Sequence, residues 1–376
     1  MMSLRDFFEY EKEAIGLLKE NIKKNNDETI KTHYPFEYFD CLYNFDLVLL
    51  KGNILKDIYI IKTQSSIYSN YNFIKSLLEK YKKITNADVH VAYIDNDKKL
   101  QIKGIDNFTK NNTKQNIQTI KTFTDFYNEI KNNCNVFYDG QYFFRGHSMD
   151  SFKPIPSIFR DDNIKHESQM YHEAIRKMPF EFTEDMSTFD KLVKMQHYEL
   201  PTRLLDITTN PLVALFFACK ENENEDGEVL IYPIMNEQIK YYDSDSVCIL
   251  SNLAKLSTNF IFSKDKDYLV YDIKQDKASF NGKYLKSEDT KKVFCVMPKL
   301  NNERIVRQQG AFFIFGMGAS KDKPATFYDQ PIKIRINAKS KKDILKDLRI
   351  LGVNEATLFP ETNKILKQIK VELSGK

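Results

Sequence analysis

Tryptophan is absent from these 376 residues, and cysteine and arginine are scarce. Each shortage excludes something. The five cysteines (Cys41, Cys134, Cys219, Cys248 and Cys295) are odd in number and far apart, with no CxxC pair. That spacing argues for reduced thiols in a cytoplasmic protein, and against a zinc site or a disulfide framework. No apolar run approaches the length of a membrane span, and the N-terminus is charged from Arg5 onward, unlike a signal peptide, so no membrane partner is expected. The formal net charge is only +4, so any contact with a polyanion would have to be local. Only nine of the 56 basic residues are Arg, and eight of the nine lie between Arg145 and Arg349. Where a chain otherwise uses Lys, each Arg suggests a need for a planar, bidentate, permanently charged fork.

An apolar fraction of 42%, with 28 Phe and 21 Tyr, suffices for proper cores, and the length favours two domains. The pattern predicts an α+β or α/β protein with a domain at 1–106, a linker at 107–120 and a second domain at 121–376. In the first, an amphipathic helix over 3–24 places Leu4, Phe8, Ile15, Leu18 and Ile22 on one face, with Glu11 on the same stripe. Strands at Phe45–Lys51 and Leu55–Thr63 flank a Gly52-Asn53 turn. A helix with apolar face Phe73, Ile74, Leu77, Leu78, Tyr81 and Ile84 follows, and then strands at Asp88–Ile94 and Lys99–Gly104. With Asp46 entering the first strand and Lys62 ending the next, this order resembles the core of the PD-(D/E)XK nuclease-like fold. In that fold an acidic residue two positions before the Lys helps bind metal. Here that position is Ile60, which leaves a divalent ion short of oxygen ligands, so the resemblance implies a non-catalytic sensing or docking domain and no metal; an ordinary α/β domain, with Asp46 at a strand start and Lys62 at a strand end, fits the residues equally.

The second domain opens with a helix near Thr124 and an aromatic strand, Phe137–Phe144, that ends in Arg145-Gly146-His147. Arg145-Gly146 reads as the floor of an anion or nucleotide site. The densest segment follows a helix over Ser187–Tyr198. Pro201 stops that helix, Leu204–Thr208 is a short strand, and Asn210-Pro211 starts a helix, Leu212–Cys219, that is apolar on every side. Arg203, Asp206 and Thr208 lie beside its N-terminus, where they either orient a polar ligand or only cap and brace the helix. Glu303, Arg304, Arg307, Gln308 and Gln309 then crowd the approach to an apolar strand ending in Phe315. Tyr241–Thr290 gives no clear role. A capped helix at Lys341–Leu351 and a last helix after Pro360 close the chain.

Three segments together resemble the FRG domain family. They are Phe144-Arg145-Gly146, the run from Gln196-His197-Tyr198 through Pro201–Asp206 and Asn210-Pro211 to Ala218, and Arg304-Ile305 with Gln308–Phe312; Leu358–Pro360 completes the match over about 120–370. His147 stands where Gln is more usual. The order is also similar to ADP-ribosyltransferase folds, whose split sheet begins with a basic residue and glycine at a strand end. That similarity implies an NAD-binding effector, a toxin or phage-defence protein, acting as ADP-ribosyltransferase or NAD glycohydrolase on an unidentified macromolecular acceptor. Arg145, Gly146, Arg203, Asp206 and Arg307 would hold NAD, Thr208 and Gln309 would address the nicotinamide ribose, and His197 or His147 would serve as acid or base. A late-strand Glu is expected too, but Gln308 and Gln309 occupy that stretch, and a Gln lacks the charge. The rival reading is a non-catalytic module that binds nucleic acid or protein through an Arg-rich cleft.

Overall fold

The computed structural model describes residues 4–38, 41–62, 71–95, 97–105, 119–134, 140–327 and 331–359. The chain forms two compact units, Met1–Gln141 with Asp329–Ile334, and Tyr142–Tyr328 with Arg335–Lys376.

The first unit runs α1 (Leu4–Asn21), β1 (Glu28–Tyr38), β2 (Cys41–Lys51), β3 (Ile54–Ile61), α2 (Tyr71–Thr85), β4 (Asp88–Ile94) and β5 (Leu100–Gly104), then β6 (Thr119–Ile120) and α3 (Phe123–Asn133). Strands β1 to β5 form one sheet in that order. Every neighbouring pair is antiparallel except β3 and β4, which run parallel across the α2 crossover. The β2–β3 hairpin turns at Gly52-Asn53 as expected, with Gly52 at φ 59. Strand β1 is an addition to the expected order. Its sequence, ETIKTHYPFEY, contains Pro35 and little apolar alternation, yet it pairs with β2 from Glu28 to Tyr38. Ala14, Leu18, Leu47, Ile61 and Ala92 pack together as α1 closes on the sheet. The expected linker falls mostly on residues outside those described.

In the second unit come β7 (Gly140–His147), α4 (Glu167–Lys177), α5 (Thr188–His197), β8 (Leu204–Thr208), α6 (Pro211–Cys219), β9 (Gly227–Met235), β10 (Ile239–Tyr241), α7 (Asp245–Asn252), α8 (Phe262–Asp276), β11 (Val293–Met297), α9 (Glu303–Arg307), β12 (Gly310–Phe315), β13 (Ile332–Ile336), α10 (Lys341–Ile350) and α11 (Glu355–Leu358). The central strands of its sheet are ordered β10-β11-β12-β8-β7-β9. Strands β12 and β8 pair antiparallel over five positions, from Gly310↔Thr208 to Ile314↔Leu204. By contrast, β7 meets β8 at one position, Phe144↔Thr208, and beyond it the two strands part.

Period-two alternation sorts the centre of this sheet into two faces. Phe143, Leu205, Ile207, Leu230, Tyr232, Phe313 and Phe315 form a core on one side. Leu204, Phe312 and Ile314 join a larger core on the other, built with Leu192, Met195, Leu250 and Leu269 from the helices. Helix α6 starts as its sequence dictates. The Asn210 side chain accepts from Leu212 N–H, and Pro211 takes the first helical position. It then packs so closely that a Cβ at Gly146 would lie 1.9 Å from the Ala214 carbonyl oxygen, and one at Gly227 would lie 2.4 Å from that of Ala218. Gly146 is therefore set by helix packing on the side of the sheet opposite Arg145.

Candidate functional site

Strand β7 does not stop at Phe144 but carries Arg145 and His147 as its next inward-facing residues after Phe143. Arg145 Nη1 donates to the Asp206 carbonyl, and Nε donates to His147 Nε2 at 3.0 Å. Since that imidazole nitrogen accepts, the proton is on Nδ1, which donates to Glu228 Oε1 at 2.9 Å. His147 and Glu228 are both buried, and burial holds the imidazole below its ordinary range despite the carboxylate beside it. The result is a strut, Asp206 carbonyl to Arg145 to His147 to Glu228, that ties β8, β7 and β9 together where the ladder between β8 and β7 has opened.

Arg203 has a different fate. It is 0% exposed, with Nε donating to Glu167 Oε1 at 2.9 Å, Nη2 to Oε2, and Nη1 to the Phe315 carbonyl at 2.8 Å. Lys321, equally buried, adds a bond from Nζ to Glu167 Oε2 at 2.9 Å and another to the Leu256 carbonyl. Two cations share one carboxylate in the core. The Lys321 ammonium is pushed down, chiefly by burial and also by Arg203, against the pull of Glu167.

The accessible chemistry lies on the other face of β8. Asp206, between buried Leu205 and Ile207, is exposed. The chain of bonds behind it has a fixed polarity. Leu204 N–H donates to Thr202 Oγ1, so the Thr202 hydroxyl hydrogen goes to Gln196 Oε1. The Gln196 amide must then turn Nε2 outward, where it donates to Asp206 Oδ1 at 2.9 Å. Asp206 Oδ2 has no partner among the described residues. It opens on a cleft of about 80 Å³ lined by Gln196, His197, Asp206, Arg304, Gln308 and Phe312, among others.

Its far wall is α9, and α9 is braced from below. Phe359 is 5% exposed and held between two cations, Lys220 at 4.7 Å and Arg304 at 4.9 Å from the ring centre. Gln308 Nε2 donates to the Leu358 carbonyl at 3.1 Å. The Leu358-Phe359 pair thus holds Arg304 on α9 and Gln308 just past its end, two of the residues that line the cleft.

The structure gathers some of the expected site residues and scatters others. Asp206 and His197 line the cleft; Arg145, Gly146, Arg203, Thr208, Arg307 and Gln309 do not. The Thr208 hydroxyl is spent on the Gln308 carbonyl (2.7 Å) and on accepting Asn210 N–H (3.0 Å). Gln309 has φ 45, which turns it out to solvent and leaves Gln308 facing the cleft. Arg307 makes a surface pair with Glu303 one turn away. Arg304 is the one arginine among the described cleft residues, so the arginines do not converge into an Arg-rich groove. Gln196, Glu228 and Glu167 are the residues that the sequence left without a role. Among the described residues, no group of three or more His, Cys, Asp or Glu gathers as a metal site. No described helix is long and apolar enough to cross a membrane.

In the first unit the Tyr10 hydroxyl accepts Ile94 N–H at 2.7 Å and donates to the Lys62 carbonyl at 3.2 Å, pinning α1 across the ends of β3 and β4. Asp46 Oδ2 accepts Ile61 N–H at 2.7 Å. Glu11 comes close enough for burial and the Asp46 charge to raise its carboxyl, against His33 and Lys62. Ile60 is 4% exposed, in the core.

Residues 140–227 match the model of the FRG domain. The chain carries an FRG domain in its C-terminal part. The match takes in Arg145, His147, Glu167, Arg203, the Asp206 relay and helix α6, and stops short of Glu228 and Lys321. No curated protein and no solved structure matches the chain.

Proposed function

We propose that the C-terminal unit binds NAD at the Asp206 cleft and cleaves its nicotinamide–ribose bond, passing ADP-ribose to water or to a macromolecular acceptor. This is the chemistry of an ADP-ribosyltransferase-like toxin or phage-defence effector. The observation that carries the reading is Asp206 itself. Where Gln308 and Gln309 offer no charge, an exposed carboxylate with one anchored and one unpartnered oxygen faces the same cleft. A negative oxygen there would stabilise the oxocarbenium-like charge that builds as the C–N bond lengthens and neutral nicotinamide departs. His197 would take the proton of the attacking hydroxyl. Arg304, already oriented by Phe359, would meet a phosphate. About 80 Å³ encloses one ring, so the rest of the dinucleotide would lie along the open side. The first unit, with Ile60 in place of an acidic residue, fits a docking or sensing role.

The test is nicotinamide release from NAD by the full chain. Asp206→Asn should lower turnover by about a hundredfold or more, with KM nearly unchanged. Arg304→Ala should act mainly on KM. No NAD binding by the unaltered protein, or full turnover by Asp206→Asn, would overturn the reading.

A further inference from the structure

His147 is 3% exposed and bonded on both ring nitrogens, Nε2 accepting from Arg145 Nε at 3.0 Å and Nδ1 donating to Glu228 Oε1 at 2.9 Å. A guanidinium can only donate, so the first bond exists only while Nε2 carries no proton. A second proton on the ring would set N–H against N–H, and one positive charge against another, at that distance. Burial opposes that proton most, and Arg145 and Arg160 oppose it too, while Glu228 on β9 favours it. Asp206 on β8 acts on Arg145, and Lys341 on α10 reaches the carbonyl of the neighbouring Ser148 at 2.7 Å.

An imidazolium at this place could not turn away, because its backbone is wedged. A Cβ at Gly146 would lie 1.9 Å from the Ala214 carbonyl oxygen, and one at Gly227 would lie 3.1 Å from the His147 carbonyl oxygen. The Phe152 ring stands edge-on to the imidazole, 6.2 Å away between centroids. Arg145, only half-buried, is the partner that can move. Its other bond, from Nη1 to the Asp206 carbonyl, would go with it. That bond stands where backbone pairing has ended. Antiparallel pairing continued from Phe144↔Thr208 would set Gly146 opposite Asp206, but the ladder stops before it. Losing Arg145 would therefore leave β7 and β8 joined at one paired position.

We propose that His147 is a proton-operated release for the β7–β8 junction. Neutral, it holds Arg145 on the Asp206 carbonyl; protonated, it drives Arg145 off and the two strands separate. Asp206 also carries the carboxylate of the cleft, so acid loosens the cleft at its β8 wall whatever ligand it takes. The inference does not rest on the NAD reading.

The test uses the full chain at about pH 7.5 and about pH 5, on either side of the ordinary histidine range. Its six histidines are followed by nitrogen-15 NMR, and its strands by hydrogen exchange corrected for the intrinsic rate. An opened junction titrates His147 near the ordinary value of about 6.5 and the closed one below it. Between those values the opened form binds the extra proton, so opening grows by up to about tenfold for each pH unit of acidification. His147→Gln repeats the polarity of the neutral ring, its oxygen accepting from Arg145 and its nitrogen donating to Glu228, but it does not titrate. At the higher pH, His147 should carry its proton on Nδ1 alone. At the lower pH, exchange across Tyr142–His147 and Leu204–Thr209 should quicken about tenfold or more, with β11 unchanged and with no such rise in His147→Gln. The proposal is overturned if acid leaves the parent's exchange unaltered, if β11 quickens equally, if His147→Gln opens as the parent does, or if both ring nitrogens are protonated at the higher pH. Should His147→Gln not fold, the parent decides alone, because the rise in exchange must track the titration of one histidine signal.

Discussion

The two ends of β8 hold a carboxylate apiece by chains of hydrogen bonds, and the chains achieve opposite things. At the start of the strand, Arg203 and Lys321 consume both oxygens of Glu167 in a dry core. Two residues before its end, Thr202 and Gln196 take one oxygen of Asp206 and leave the other facing an open cleft. A carboxylate saturated with donors is a fastening; one supplied with a single oriented donor is available to a ligand. The difference lies in how many of its lone pairs the protein has filled, and neither residue type nor strand position reveals that.

The largest effect should come from breaking the fastening. Glu167→Ala leaves two buried cations unpaired and should cost about 3–5 kcal/mol in denaturant unfolding. Replacing the whole knot with apolar residues (Glu167→Leu, Arg203→Met, Lys321→Met) should recover most of that loss, because the desolvation penalty disappears together with the attraction. A loss as large as that of Glu167→Ala would show that the knot contributes net stability. Next is Gly146→Ala. With backbone in the way at 1.9 Å, helix α6 must shift, at about 3 kcal/mol or more, although the change touches neither carboxylate. Asp206→Asn, in contrast, should alter stability by no more than about 0.5 kcal/mol, because the position is exposed. A severe destabilisation there would move Asp206 into the same class as Glu167.

The smallest effect concerns a third carboxylate and has the opposite sign. Glu11 is raised in the folded protein, chiefly by burial and next by Asp46. Between its unfolded and folded values the native state binds the extra proton, so this group's contribution falls as pH rises through that window and stays unfavourable above it. Glu11→Gln should therefore stabilise the first unit at neutral pH, by about 0.5 kcal/mol or less at such a half-solvated position, and lose the advantage on acidification. An equal gain at acid pH would discard the explanation.

What could be read from the sequence was local. The Leu204–Thr208 strand and the Asn210-Pro211 start of α6 follow from neighbours a few residues apart. Strand β1 escaped because Thr, Lys and Pro35 give it no alternation, and its partner β2 supplies the order. Helix α8 escaped because its charged and apolar residues are poorly segregated. The site was half legible. Gln196 and Asp206 are ten residues apart and were both in view, but His147 and Glu228 are 81 apart and Arg203 and Glu167 are 36 apart. Nothing in the sequence pairs them. Gln308 and Gln309 exchanged places because a left-handed backbone at a non-glycine residue has no sequence signature.

The pairing of β8 with β12 carries a practical consequence. The matched FRG stretch ends at 227, yet β12 at Gly310–Phe315 zips along the whole of β8, and Leu358-Phe359 braces the wall beyond it. A fragment cut at the borders of the match would expose one entire edge of its shortest central strand and half of two cores, inviting aggregation in place of folding. The unit that is recognised is smaller than the unit that can be inherited intact, so a working copy transplanted between proteins must bring about 130 further residues with it.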